Sequence, residues 1–248
     1  MHKTGVVSAS FRPLTPEEIL QGMVKANLKN IEWGSDVHAP CTDEARLDEL
    51  VELMKKYDIT CSSYGGYFRL GVNPIEELPA YLKAAKKLGT NIVRIWAGKA
   101  KLAEMTPEWR RMIIEEGRKA AKMAEEENVI IAMECHRGTM TQTKEYCLEL
   151  MEGVNSPNFC TYWQPNPDVS DEENIAYIRM VKPYIQHLHV FYWPNNVRVS
   201  LENGVENWKL YMKEFEGEEK TLLLEFMYDG QITTLPAEAG FLRQIVEG

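Results

Sequence analysis

Residues 106–134, TPEWRRMIIEEGRKAAKMAEEENVIIAME, contain the pattern that decides the fold. The Thr-Pro-Glu sequence at 106–108 is a start signal for a helix, in which Ile113 and Ala120 fall on one face. Residues 129–134 then form a short apolar run that is typical of a buried strand. A long amphipathic helix followed by such a strand predicts a parallel β/α protein.

The same alternation extends in both directions along the chain. The predicted strands are residues 5–9, 30–33, 59–63, 91–96, 129–134, 159–164, 185–190 and 222–225. Helices are predicted from a capping box at residues 15–18 and over residues 43–57, 74–88, 106–128, 143–154, 170 to the proline at 183, 206–215 and 236–246. Eight such pairs predict an α/β fold of one (β/α)8 TIM barrel domain over residues 1–248. The alternative, an open doubly wound sheet, lacks a Gly-x-Gly-x-x-Gly after the first strand.

Charge and composition restrict the partners. The chain has 28 Lys plus Arg against 37 Asp plus Glu, a net charge of -9, so we expect no nucleic-acid partner. No apolar run approaches the roughly 20 residues that span a bilayer, and no signal-like segment opens the chain, so we expect a cytoplasmic protein that does not bind membranes. The five cysteines are scattered and predict no disulfide framework. The sequence leaves open whether the protein forms a homo-oligomer.

Polar residues end the fifth to eighth predicted strands, and these strand ends form the mouth of a TIM barrel, where active sites lie. Alternation along the strands points Glu134 inward with Ala132, and Glu225 inward with Leu223. The four strand-end side chains are Glu134, Gln164, His189 and Glu225. This donor set suits one divalent cation, Mn2+, Mg2+, Co2+ or Zn2+, which would also allow both carboxylates to stay ionised. His187, one layer deeper, is expected to be a core histidine.

Four segments carry a resemblance to a known family. Residues 31–38 (IEWGSDVH), 132–139 (AMECHRGT), 187–190 (HLHV) and 224–226 (LEF) resemble the sugar isomerase/epimerase family of xylose-isomerase-like barrels. The resemblance implies metal ligands Glu, Asp, His and Glu after strands five to eight, at Glu134, Gln164, His189 and Glu225. Gln164 stands where the family has Asp, which implies weaker metal binding or a changed metal preference.

Other mouth residues are candidates for binding the substrate. Arg198 lies upstream of a Gly and a Trp, at positions 204 and 208, and in this it resembles an arginine of ketose epimerases in the family, with a longer spacing. His136 is expected either to face the substrate or to orient Glu134, and His38 either to contact a sugar hydroxyl or to be a surface histidine. The remaining candidates are Glu32, Tyr64 and Trp96, of which the aromatic residues suit the apolar faces of sugar rings.

The resemblance implies a reaction at the carbon next to a carbonyl. Glu134 and Glu225 would be the catalytic acid/base pair of a sugar isomerase or epimerase, acting through an enediolate. The same enediolate can expel a β-hydroxyl, so a dehydratase of a sugar-like keto compound is an alternative. A catalytically silent sugar-binding barrel is another, because of Gln164. No glycine-rich phosphate cup is evident, so we expect an unphosphorylated small-molecule sugar or sugar derivative as partner.

Overall fold

The computed structural model describes residues 2–247, and these form a closed barrel of eight parallel strands in the order β1 to β8. The strands are β1 Lys3–Val7, β2 Asn30–Gly34, β3 Thr60–Arg69, β4 Ile92–Trp96, β5 Ile130–Glu134, β6 Phe159–Trp163, β7 Ile185–Val190 and β8 Thr221–Leu224. The helices are α1 Pro16–Lys25, α2 Glu44–Tyr57, α3 Leu78–Lys87, α4 Pro107–Glu127, α5 Lys144–Val154, α6 Asp171–Val181, α7 Val205–Lys213 and α8 Leu235–Glu247. The prediction of a (β/α)8 TIM barrel is confirmed.

Local signals account for the helix starts. Thr15 accepts a hydrogen bond from the Glu18 backbone N–H at 3.3 Å, and the Glu18 carboxylate accepts one from the Thr15 N–H at 2.8 Å, which is the predicted capping box of α1. Thr106 and Ser170 cap α4 and α6 in the same way, through their side-chain oxygens. No helix within residues 2–247 is both long enough and apolar enough to span a membrane.

Two strands differ from the prediction by more than one residue at an end. β1 begins at Lys3 and ends at Val7, because it pairs with β8 from its first residue; residues 8 and 9, predicted as strand, lie in a short 3-10 helix. β3 continues to Arg69, six residues beyond the predicted end, because it pairs with β2 through Gly65 and then with Trp96 of β4. Its two consecutive glycines at 65 and 66 interrupt the apolar pattern that would have indicated this length.

The core has two layers. A small cluster fills the barrel axis: Val7, Ala9, Ile92, Ala132, Cys160, Tyr162 and Leu223. A larger cluster lies between the strands and the surrounding helices. Because Ala132 and Leu223 face the axis, the same alternation directs Glu134 and Glu225 towards the axis one level higher, at the mouth.

Candidate active site

Four side chains from consecutive strands meet at the mouth of the barrel. The Nδ1 atom of His189 lies 3.1 Å from Gln164 Oε1, 3.4 Å from Glu225 Oε2 and 3.7 Å from Glu134 Oε1. Donor atoms of the two glutamates and the histidine all lie within 4.8 Å of one another. The structure therefore brings together the four residues proposed from the sequence as metal ligands.

The strand ends hold these side chains in place. Glu134 is the last residue of β5, and the next residue, Cys135, donates its backbone N–H to Tyr162 of β6 at 3.2 Å. Glu225 follows β8, and its own N–H donates to Val190 of β7 at 2.9 Å. Glu134, His189 and Glu225 are 3%, 0% and 5% exposed, so the two carboxylates are removed from bulk water.

Arg94 of β4 supports this centre from below. Its guanidinium lies 2.9 Å from Glu32 Oε1 and 3.1 Å from Glu134 Oε2. Gly65 leaves room for this ion pair, since a Cβ there would lie 2.8 Å from Arg94 Nη2 and 2.9 Å from Glu32 Oε1. Arg94 is not among the site residues proposed from the sequence. The available signal was a charged side chain inside the buried run IVRIW, which requires a partner.

Glu32 supports the site and is not exposed to a ligand, which corrects its assignment as a substrate-binding residue. It is fully buried, and Ser63 donates a hydrogen bond to its Oε2 at 2.8 Å. The same oxygen lies 3.5 Å from His189 Nε2, which is longer than a good hydrogen bond. Glu32 thus faces the nitrogen of His189 that points away from the four-residue centre, the position of an orienting carboxylate behind a metal-binding histidine.

The charges of these groups are strongly coupled. Burial would raise the pKa of Glu134, but Arg94, His189 and His136 together outweigh it and lower the pKa to about 2. Burial would lower the pKa of His189, but Glu225 and Glu32 raise it well above its usual value. Glu134 is therefore ionised, and the glutamates around the imidazole favour positive charge at the position of His189 Nδ1.

The donor set fits a divalent cation. Two carboxylate oxygens, an amide oxygen and an imidazole nitrogen suit cations of intermediate hardness. Such a cation and a proton compete for the same Nδ1 lone pair, because a ligating imidazole must be neutral. The arrangement can hold a divalent metal, and binding of that metal to Glu134, Gln164, His189 and Glu225 stays a prediction.

Aromatic rings line one side of the mouth. The Trp96 ring lies 5.0 Å from that of Tyr67 and 6.3 Å from that of His136, between centroids. His136 is half-buried, and its Nδ1 is taken up by the Arg137 carbonyl oxygen at 2.6 Å. Of the two roles expected for His136, this placement favours facing the mouth over orienting Glu134.

On the other side of the mouth, Arg198 is exposed and its guanidinium lies 4.8 Å from the Phe226 ring centroid and 5.1 Å from that of Trp193. Phe226 directly follows Glu225, which places Arg198 on the β8 side of the mouth, and its role in binding the substrate stays a prediction. Arg12 hydrogen-bonds Tyr67 and lies 5.5 Å from the Phe226 ring, which connects the two sides. Arg12 was missed in the sequence because it follows a strand without lying on it.

Two substrate candidates lie elsewhere. His38 is 2% exposed, with Nδ1 3.2 Å from Ser8 Oγ and Nε2 3.1 Å from the Leu14 carbonyl oxygen, so it neither is a surface histidine nor has a ring nitrogen free for a sugar. Tyr64 packs between barrel and helices and donates to the Ala39 carbonyl at 2.6 Å. Its neighbour Ser63 faces Glu32 in the interior, so alternation along β3 turns Tyr64 outward.

Comparisons with known proteins identify the family and agree with the fold. The model of the xylose isomerase-like TIM barrel family matches residues 23–245. The 3-dehydroshikimate dehydratase of Bacillus anthracis is 25% identical over 217 residues, which cover 77% of this chain and 74% of that protein.

Two solved structures share the fold. One, described as the probable 3-DHS dehydratase from Bacillus anthracis, has a TM-score of 0.78 at 18% identity and covers 98% of each chain. The other, the D-psicose 3-epimerase from Clostridium cellulolyticum H10 with D-tagatose, has a TM-score of 0.70 at 16% identity and covers 99% of this chain and 92% of that one. With the family model matching nearly its whole length, the chain belongs to the family of xylose isomerase-like TIM barrels.

Proposed function

We propose that this protein is a metal-dependent isomerase or epimerase that moves a proton on the carbon next to the carbonyl group of a sugar or sugar derivative. The observation that carries the proposal is the meeting of Glu134 and Glu225 within 3.7 Å of one imidazole nitrogen, with Gln164 Oε1 beside them. Two carboxyl groups so close to each other at a barrel mouth suit both metal binding and proton transfer.

Glu134, Gln164, His189 and Glu225 would hold the metal. When bound, a divalent cation such as Mn2+, Mg2+, Co2+ or Zn2+ supplies Lewis acidity that polarises a carbonyl and lowers the pKa of the adjacent C–H. Arg94 keeps Glu134 oriented through its Oε2 atom, and Glu32 faces the opposite side of His189.

The chain's own residues divide the proton transfer between two sides of the mouth. Glu134 ends β5 and Glu225 follows β8, three strands further around the barrel. One glutamate removes the proton to form an enediolate and the other returns a proton to the opposite face, which inverts the carbon centre. The Trp96 and Tyr67 rings provide apolar surface for the carbon skeleton of the substrate.

A dehydratase is the second candidate, and the observation that favours it is the 25% identity to 3-dehydroshikimate dehydratase. The first step is the same proton removal by a glutamate. The electron pair then expels a β-hydroxyl group as water, with the other glutamate as the acid. The isomerase and the dehydratase would use the same residues and the same first step, and they would differ in the product.

The test is solvent deuterium incorporation in D2O, measured by mass spectrometry on a panel of ketoses, aldoses and 3-dehydroshikimate with Mn2+-loaded protein. Glu134→Gln and Glu225→Gln should each lower exchange or turnover by about 10²- to 10⁴-fold, because Gln cannot transfer a proton. Bound metal is measured in each variant, and Glu49→Gln on the exposed face of α2 is the control.

The product decides between the candidates: an epimer or isomer supports the first, and a compound lighter by one water supports the second. Near wild-type turnover in both Gln variants with metal bound would contradict the two-carboxylate mechanism. Absence of exchange with the whole panel, with metal bound, would favour a sugar-binding barrel without activity.

A further inference from the structure

Three arginines at the mouth have a carboxylate partner inside the protein. The pairs are Arg12–Asp36 at 2.6 Å, Arg94–Glu32 at 2.9 Å, Arg94–Glu134 at 3.1 Å and Arg137–Asp168 at 3.1 Å. Arg69 and Arg198 differ: within residues 2–247 neither forms an ion pair, and of these two only Arg69 is half-buried, since Arg198 is exposed. A half-buried guanidinium without a counter-charge is costly unless something else supplies one.

Arg69 is nevertheless held in one orientation. It is the last residue of β3, opposite Trp96 of β4, and its guanidinium lies 4.4 Å from the Trp96 ring centroid. Its Nη1 donates a hydrogen bond to the Gly98 carbonyl at 3.2 Å. A guanidinium has five N–H donors in a planar fork, so most of its donors are left for another group.

The surrounding charges do not compensate Arg69. Burial lowers its pKa, and the nearby Glu134 offsets only part of that effect. Glu134 is itself held by Arg94 and faces His189. Arg69 is therefore an oriented positive charge beside the candidate active site, with no anion of the protein assigned to it among the described residues.

We infer that Arg69 binds a carboxylate group of the substrate, so that the site takes a carboxylated polyhydroxy ketone in preference to a neutral sugar. The inference deepens the proposed function and rests on it. A planar guanidinium with a free edge matches a carboxylate through two parallel hydrogen bonds. The carboxylate would lie on the β3–β4 side of the mouth, across the barrel from Glu225.

A phosphate group fits this position less well. A phosphate dianion is usually bound by several backbone N–H groups at a glycine-rich turn or a helix start, together with cations. Arg69 supplies a single fork, and the turn that follows it is stabilised internally, since Asn73 Oδ1 accepts the Arg69 N–H at 2.9 Å. The geometry favours a group with one negative charge.

Calorimetry on the Mn2+-loaded protein tests the inference independently of turnover. The probes are D-tagaturonate and D-tagatose, which differ at the terminal carbon by a carboxylate, together with 3-dehydroshikimate and D-tagatose 6-phosphate. Wild type should bind a carboxylated probe about 10- to 100-fold more tightly than D-tagatose, the range for a charge-assisted hydrogen-bond pair. In Arg69→Gln the ratio of the two affinities should fall towards one. Arg69→Lys keeps the positive charge without the planar fork of donors, so its ratio should lie between those of wild type and Arg69→Gln.

Arg137→Gln is the matched control, because Arg137 is also at the mouth but is paired with Asp168; it should keep the wild-type ratio. Circular dichroism shows whether each variant is folded. Equal affinities for D-tagaturonate and D-tagatose in wild type, no binding of either carboxylated probe, or an unchanged ratio in Arg69→Gln would overturn the inference. So would an Arg69-dependent preference for D-tagatose 6-phosphate alone. Arg69-dependent binding without deuterium exchange would instead contradict the proposed function and support the carboxylate site.

Discussion

Arg94 belongs to a cluster of charged side chains in the interior. It is 2% exposed and lies between Glu32 and Glu134, so one guanidinium compensates two buried carboxylates. These two carboxylates in turn raise the pKa of Arg94, although burial acts in the opposite direction. Each member of such a group depends on the others, because an unpaired buried charge is far more costly than a paired one.

Replacing Arg94 with Met should therefore destabilise the fold strongly. Two carboxylates would be left buried without their cation, and removing one partner of a buried ion pair typically costs about 3–5 kcal/mol. Urea unfolding measures the loss. Arg111→Met is the control, because Arg111 and its partner Glu108 are 68% and 73% exposed and their pair should add no measurable stability. An Arg94→Met variant as stable as wild type would show that the carboxylates become protonated without penalty.

Substitutions of Gln164 test whether this side chain is one of the metal ligands. Its Oε1 atom lies 3.1 Å from His189 Nδ1, which is nearer to this nitrogen than the closest oxygen of Glu225 or Glu134. Gln164→Asp should tighten metal binding by adding a negative charge, and Gln164→Leu should weaken it while the protein stays folded. Calorimetric titration with Mn2+ gives both affinities. Unchanged affinity in both variants would place Gln164 outside the ligand set.

At the scale of single elements, β1 shows how closely the strands of the barrel approach each other. Gly5 pairs with Asn30 of β2 on one side and Leu223 of β8 on the other. A Cβ added at Gly5 would lie 2.0 Å from the Asn30 backbone oxygen and 2.8 Å from Leu223 Cδ2. A backbone oxygen cannot move aside as a flexible side chain can, so the strand pairing itself would have to shift.

Gly5→Ala should accordingly lower the free energy of unfolding by about 1–3 kcal/mol or more, the usual cost of overpacking. Gly240 in α8 is the matched control, because the nearest atom to an added Cβ there is 3.9 Å away. Gly240→Ala should stabilise the helix by about 0.5–1 kcal/mol, since Ala loses less backbone entropy on folding. Urea midpoints of the two variants should move in opposite directions, and a shift of both in the same direction would refute this account.

At the scale of the whole molecule, the centre joins four consecutive strands at one end of the barrel. A cation bound to β5, β6, β7 and β8 together can bind only while the barrel is closed, because the unfolded chain does not hold these side chains close. Metal affinity should therefore appear as stability of the entire fold.

Adding Mn2+ to chelator-treated protein should raise the thermal midpoint. At a free concentration of 100 times Kd, binding to the native state alone contributes about 2.7 kcal/mol. Glu225→Ala should remove most of this shift, whereas Glu49→Gln on α2 should keep it. Differential scanning calorimetry gives the midpoints. An unchanged midpoint in wild type at millimolar Mn2+ would contradict the assignment of the centre as a metal site.

Local information in the chain was sufficient for the element order, the helix caps and the polar residues that end β5 to β8. These features depend on residues close in sequence: an apolar run, a capping pair such as Thr15 and Glu18, or the alternation that turns Glu134 inward with Ala132. The eight repeated units then predicted the closed barrel. In a TIM barrel all the strands end at one mouth, so the polar residues at the strand ends were expected to lie close together.

Only the tertiary structure decided which of the other candidates face the mouth. β3 extends past Gly65 and Gly66, so Tyr67 and Arg69 reach the mouth while Tyr64 packs outward. Arg94 meets Glu134 because β4 and β5 are neighbours in register, although 40 positions separate the residues. Such pairings depend on strand length and stagger around the closed sheet, which are set by all eight strands together and not by any segment of the sequence.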